Sequence, residues 1–176
     1  TDPSHSELRV VIQCRGPSKS RLSLNTTDEE YSLSVEVTGK VATAKIIANT
    51  FFGVRHGLET LSQLIDYEEA ENSLQIVNFA AITDKPAFPY RGILLDTSRN
   101  FITVKNIERT MDAMAATKLN TFHWHITDSH SFPMVLKSLP NMAYYGAYSS
   151  RQLYQPSDIR HLVEYGRVRG IRVLPE

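Results

Sequence analysis

Three short runs constrain this chain more than anything else in it. Residues 90–99 (YRGILLDTSR), 121–128 (TFHWHITD) and 170–176 (GIRVLPE) are each apolar, largely β-branched or aromatic, and each finishes on charge. Helical patterns separate them. Strand, helix, strand, helix, strand is the opening of an α/β barrel or of a doubly wound sheet, and both folds keep their chemistry at the carboxyl ends of the strands. The acids at those ends, Asp96, Asp128 and Glu176, are therefore the first candidates for function.

Composition narrows the partners. Lys and Arg number 19 against 19 Asp and Glu, a formal net charge of +0, so no broad basic face for nucleic acid is expected and no polybasic tract for a membrane surface. A neutral partner fits better. No apolar run reaches the roughly 20 residues needed to span a bilayer, and the polar start TDPSHSE does not read as a signal peptide, so a secreted form is expected to have lost its signal already. With 41% hydrophobic residues the chain can bury a real core. Cys14 is the one cysteine and cannot form an internal disulfide. Asn25-Thr26-Thr27 fits the glycosylation acceptor pattern in a polar stretch that reads as surface loop.

Before residue 90 the pattern is that of a small α+β domain. Residues 8–13 read as a strand and 15–20 (RGPSKS) as a turn. Residues 31–37 alternate Tyr31, Leu33, Val35 and Val37 with polar neighbours, the period of a half-buried strand, and Gly39-Lys40 turns into 41–48 as an antiparallel hairpin. Asn49 or Thr50 caps a helix whose stripe is Val54, Leu58, Leu61 and Ile65, with Gly57 and Leu64 on the same side. A glycine there implies close approach of helix to sheet. His56 and Glu59 share a helical face and read as a solvated pair. Residues 74–77 and 79–82 read as short closing strands, and the prolines of TDKPAFP mark a junction, dividing the chain into domains 1–86 and 87–176.

In the second part, Val104, Ile107, Met111, Met114, Ala115 and Leu119 form a stripe that packs on a sheet, over a helix of about 104–118. The next helix starts at Pro156 or Ser157 and stops at Gly170. Between the second strand and that helix, 129–155 is a long connection rich in aromatics, a length usually tied to function. Strand parity puts Phe122, Trp124, Ile126 and Asp128 on one face and Thr121, His123, His125 and Thr127 on the other. Asp128 can orient a base, bind a sugar hydroxyl, hold a metal or simply cap a turn. The His123-x-His125 pair can bind zinc, but no third ligand is evident and hydrogen-bonded histidines are the commoner outcome. Arg91 and Arg99 flank the first run; either can grip vicinal hydroxyls or a carboxylate, and either can pair structurally with Asp96 or Glu176.

FPYRGILLDTSRNF, KLNTFHWHITDSHSFP and YGRVRGIRVLPE together resemble the β-N-acetylhexosaminidases of glycoside hydrolase family 20, in an animal and insect-like form. FFGVRHGLETLSQL resembles the helix of that family's small non-catalytic α/β domain. The resemblance implies a small α+β domain followed by the first three strands and two helices of a TIM (β/α)8 barrel. It also implies a retaining exo-hydrolase for terminal N-acetylglucosamine or N-acetylgalactosamine on glycans or chitooligosaccharides, with the substrate's acetamido oxygen as nucleophile. In that scheme Arg91 corresponds to the arginine that holds the sugar hydroxyls, and Asp128 to the strand-end aspartate that supports the general acid through a histidine. Asp96, His125 and Glu176 are supporting candidates. No cofactor and no metal are implied, for His123 and His125 included.

The chain departs from the family in lacking a fourth strand with its Asp-Glu pair and the later tryptophans of the pocket. An eight-unit barrel takes about 250 residues, far more than follow Tyr90. A truncated barrel is therefore expected, with no turnover from these residues alone. The resemblance further implies a secreted or lysosomal whole protein, a homodimer, and a partner for Cys14 upstream of Thr1. Two rivals stand beside this reading: a zinc amidohydrolase-like barrel built on His123 and His125, and a non-catalytic sugar-binding remnant.

Overall fold

A computed structural model of the chain describes residues 7–16, 22–23 and 25–176. The opening TDPSHSE apart from Glu7, and most of the turn expected over 15–20, lie outside them. The chain divides into two compact units at the Pro89–Tyr90 bond.

The first unit is a four-stranded sheet with one helix. Strand β2 (Tyr31–Thr38) buries Tyr31, Leu33 and Val35 and turns their polar neighbours outward, as its alternation predicts. It pairs antiparallel with β3 (Val41–Ala48), and Gly39 takes the left-handed φ of 61° that the connection requires. Strand β1 (Glu7–Cys14) adds parallel to β3, and β6 (Phe79–Asp84) adds antiparallel to β2, giving the order β1-β3-β2-β6. Helix α1 (Phe51–Gln63) starts at Thr50, whose hydroxyl accepts a hydrogen bond from Gly53 N at 3.2 Å. Its buried stripe of Val54, Gly57 and Leu61 lies on Tyr31, Leu33 and Ile46 of the sheet. At Gly57 a Cβ would come within 2.7 Å of Ile46 Cγ2, so the approach inferred from that glycine is present.

Three expectations for this unit change. Leu58 is exposed and outside the stripe. The helix ends at Gln63, and Ile65 instead opens a strand, β4 (Ile65–Glu68), which pairs with β5 (Ser73–Ile76) as a separate ribbon. His56 is not solvated: it is buried, with Nε2 3.0 Å from Oε1 of the equally buried Glu29, and Glu59 bonds instead to Gln63.

The second unit alternates strand and helix. Strands β7 (Gly92–Asp96), β8 (Thr121–His125) and β9 (Arg172–Pro175) form a parallel sheet in the order β7-β8-β9. Helix α2 (Val104–Ala116) buries Ile107, Met111, Met114 and Ala115 against it, and α4 (Pro156–Arg167) buries Leu162. A capping box starts α4, with Asp158 accepting from Gln155 N. Gly170, at φ 70°, reverses the chain into β9. The long connection after β8 holds a short helix, α3 (Pro140–Gly146), and a bridge between Met134 and Tyr154. Phe122, Trp124 and Ile126 face the helices and are fully buried. Trp124 Nε1 donates to Thr97 Oγ1 at 2.7 Å, and its ring meets that of Tyr154 edge-on at 4.9 Å. On the opposite face Leu94, His123 and Leu174 lie in one row across the three strands, and both leucines are exposed.

Candidate active site

Parallel strands running the same way bring their carboxyl ends to one edge, and here that edge gathers Asp96, His125, Asp128 and Glu176. Asp96 ends β7. Its Oδ1 accepts from Ser98 N and Arg99 N, both at 3.0 Å, which folds the chain back so that the Arg99 guanidinium meets Asp96 Oδ2 at 2.6 Å. The same guanidinium reaches Asp128 Oδ2 through Nε at 3.0 Å. Arg99 therefore links two carboxylates while its side chain stays 58% exposed, with donors left over for a ligand.

Asp128 is reached from several sides. Its Oδ1 accepts from His130 N at 2.5 Å and from Ser98 Oγ at 3.0 Å, and its Oδ2 lies 3.3 Å from His125 Nε2. The other nitrogen of His125, Nδ1, lies 2.8 Å from Glu176 Oε2, which His123 Nε2 also approaches at 2.9 Å. A continuous line of polar contacts thus runs Arg99, Asp128, His125, Glu176, His123. The backbone secures the same corner: Thr97 N donates to His125 O, and Ile126 N to Glu176 O.

Charge follows geometry. The His130 amide, and after it the Ser98 hydroxyl and His125, hold the Asp128 carboxyl far below the ordinary carboxylate range. Glu176, then Asp128, push His125 above the usual imidazole value, and His125 and His123 pull Glu176 down. The backbone amide of Arg99 lowers Asp96, and the bond to Asp96 raises Arg99. The His125–Asp128 pair is therefore charged across a broad window. It is lost only when pH falls far enough to protonate Asp128 or rises past the elevated His125 midpoint.

Two sequence expectations are corrected here. Asp128 does not continue the Phe122–Trp124–Ile126 face, because strand pairing ends at His125 and the turned segment 126–128 brings Asp128 round to His125. Arg91 is not at this edge. It precedes β7 at the amino end, where its Nε donates to Lys118 O at 2.9 Å and its backbone N to Asn120 Oδ1 at 3.0 Å. The arginine brought to the strand ends is Arg99.

His123 and His125 do point the same way, as a His-x-His on a strand must, and both meet a carboxylate oxygen. Asp96, His125 and Asp128 each place one oxygen or nitrogen within 4.8 Å of the others, but the positive charge among them is the guanidinium of Arg99. Ser98 and Ser131, both buried, join the site without having been singled out in the sequence. The signal for Ser98 was its place two residues after a strand-end acid. Beside Asp128 opens a recess of about 730 Å³, lined among others by His130, Phe132, Met142 and Tyr145; Asp128 is its one carboxylate.

Comparison with known proteins agrees on one family. The glycosyl hydrolase family 20 catalytic domain matches residues 88–176, and a "beta-acetyl hexosaminidase like" domain matches residues 2–64. The chain is 59% identical over 150 residues to a chitooligosaccharidolytic beta-N-acetylglucosaminidase of Bombyx mori, covering 85% of this chain and 25% of the relative. It is 46% identical over 151 residues to the human beta-hexosaminidase subunit beta, covering 86% and 26%. Among solved structures it is similar to the family 20 chitobiase of Flavobacterium johnsoniae, with TM-score 0.79 and 34% identity over 93% of this chain and 24% of that one. It is also similar to an exo beta-N-acetylglucosaminidase of Vibrio harveyi solved with N-acetylglucosamine, with TM-score 0.74 and 27% identity over 95% and 27%. The chain spans about a quarter of the length of these relatives. On the match over 88–176, and with acids and an arginine gathered at the carboxyl ends of its parallel strands, the chain belongs to glycosyl hydrolase family 20.

Proposed function

We propose that the whole protein is an exo-acting β-N-acetylhexosaminidase that removes terminal N-acetylhexosamine from glycans or chitooligosaccharides with retention, the substrate's acetamido oxygen acting as nucleophile. The observation that carries this reading is the line Arg99–Asp128–His125–Glu176 at the carboxyl edge of a family 20 sheet. Arg99, exposed and charged at all working pH, offers its spare donors to vicinal sugar hydroxyls. Asp128, held as a carboxylate, supports through a histidine the carboxylic acid that protonates the leaving oxygen. In this reading that acid and the aspartate that orients the acetamido group are not among residues 1–176, which span about a quarter of the length of the relatives.

The second unit is read as the start of a TIM barrel, domain 87–176, and the first as the non-catalytic domain 1–86. Sequential parallel order and the uncovered row Leu94–His123–Leu174 support this, since a barrel closes further strands over that face. A homodimer in a secreted or lysosomal compartment is proposed for the whole protein; no helix among the described residues is long and apolar enough to cross a membrane. The zinc reading is not carried further, because both histidines are engaged by Glu176.

The test is product analysis. Given a chitooligosaccharide, the whole protein is expected to release single sugars from the non-reducing end, with the β-anomer appearing first in the proton NMR spectrum. Internal cleavage, or the α-anomer first, contradicts the proposal.

Asn25 lies exposed in a turn that Thr27 closes, its hydroxyl accepting from Ser23 N at 2.6 Å. In a secretory host Asn25 is expected to carry glycan, seen as a mass loss on enzymatic deglycosylation that Asn25→Gln abolishes. An unchanged mass in the wild type would contradict it.

A further inference from the structure

The Asp128 carboxylate has two kinds of partner. Arg99 on Oδ2 is exposed, at the end of a long side chain with many rotamers. On Oδ1 the partners are the His130 amide and the Ser98 hydroxyl, and Ser98 is wholly buried. Ser98 and Ser131, from the segments after β7 and β8, are locked to each other. Ser131 Oγ donates to Ser98 O at 2.6 Å, while Ser98 Oγ lies 2.8 Å from Ser131 O and 3.0 Å from Asp128 Oδ1. Ser131 O also accepts from Asp128 N at 3.0 Å. The seryl pair thus ties both the backbone and the carboxylate of Asp128 to the end of β7.

We propose that Ser98 is a positioning residue: its buried hydroxyl sets the rotation of the Asp128 carboxylate so that Oδ2 faces His125, while Ser131 braces Ser98 without touching the carboxylate through its own side chain. This rests on the role given to Asp128 above. Rotation about the Cβ–Cγ bond of an aspartate is soft, being an sp³–sp² torsion. The His130 amide, together with the one Ser98 hydroxyl proton shared between Asp128 Oδ1 and Ser131 O, restricts that freedom. A donor that is itself nine-tenths or more buried and doubly held does so at no cost when substrate arrives, the requirement for a preorganised site. The charged and titratable groups facing His125 are Glu176, His123, Asp128 and, more remotely, Asp96.

Ser98→Ala and Ser131→Ala in the whole protein separate positioning from mere packing. Each deletes one buried hydroxyl and lowers the melting temperature by a few degrees. Ser98→Ala is expected to lower kcat on a chromogenic N-acetylglucosaminide by about tenfold with KM within about twofold, and Ser131→Ala, which removes only the brace, to lower it by less. The larger fall in the NMR titration midpoint of His125 is likewise expected for Ser98→Ala, because Asp128 no longer holds its place beside Nε2. Should Ser98→Ala not fold, Ser98→Cys keeps the volume with a weaker donor and shifts both readings the same way. Equal kcat and equal His125 midpoints in Ser98 and Ser131 variants would overturn the proposal. A wild type without hydrolytic activity would instead sink the functional reading, and the His125 midpoints would still decide whether Ser98 positions Asp128.

Discussion

Asp128→Asn in the whole protein is expected to lower kcat by about 10²–10³-fold, the scale seen when one preorganised electrostatic partner is lost from an active site, while leaving the fold intact. The substitution keeps the volume and deletes the charge. Oδ1 faces two donors, His130 N and Ser98 Oγ, and Oδ2 faces Arg99 Nε and His125 Nε2, so an amide nitrogen on either side meets donors where an acceptor is required. His125 loses one of the two carboxylates that raise its pKa, so its midpoint moves down while Glu176 keeps it above the ordinary value. Steady-state kinetics with a histidine titration check both parts. A loss of less than about threefold would mean that Asp128 is a turn acid.

Trp124→Ala carries the largest expected cost in stability, about 3–5 kcal/mol for emptying the site of a buried indole. Nothing nearby can close the gap cheaply. The ring is fully buried between Phe122 and Tyr154, and its Nε1 is the donor to Thr97 Oγ1, itself fully buried, whose neighbours Asp96 and Ser98 belong to the site. Trp124→Phe retains most of the contact and loses the donor, for about 1–3 kcal/mol from an unsatisfied buried group. Urea unfolding followed by far-UV circular dichroism measures both. A cost for Trp124→Ala below that of Trp124→Phe would contradict the packing described for this unit.

Much of the second unit was legible because its signals are local. Each strand is an unbroken apolar run ending on an acid, and each helix shows a 3.6-residue stripe. The first unit hid β4 for a physical reason: Ile65 falls four residues after Leu61 and so extends the stripe of α1 past the point where the helix stops. His56 was misread because its partner Glu29 is 27 residues away, a separation that no periodicity records. In the site, Asp128, His125 and Glu176 could be named from strand ends alone. Parity failed at Asp128 because period two holds only while pairing lasts, and pairing lasts to His125. The choice between Arg91 and Arg99 was open to chain direction: Arg91 precedes β7 and Arg99 follows it, and in parallel sheets the site lies after the strand. The seryl lock joins residues 33 apart, a pairing that no periodicity records; Ser98 alone carried a local signal, its place two residues after Asp96.

The most direct test is the rate of the whole protein on two chromogenic β-glycosides that differ only at carbon 2, one bearing an acetamido group and the other a hydroxyl. If the acetamido oxygen is the nucleophile, the N-acetylglucosaminide is hydrolysed and the glucoside is slower by at least about a thousandfold, a fraction of the effective molarity that an intramolecular nucleophile supplies. Comparable rates on both would contradict substrate-assisted hydrolysis at this site.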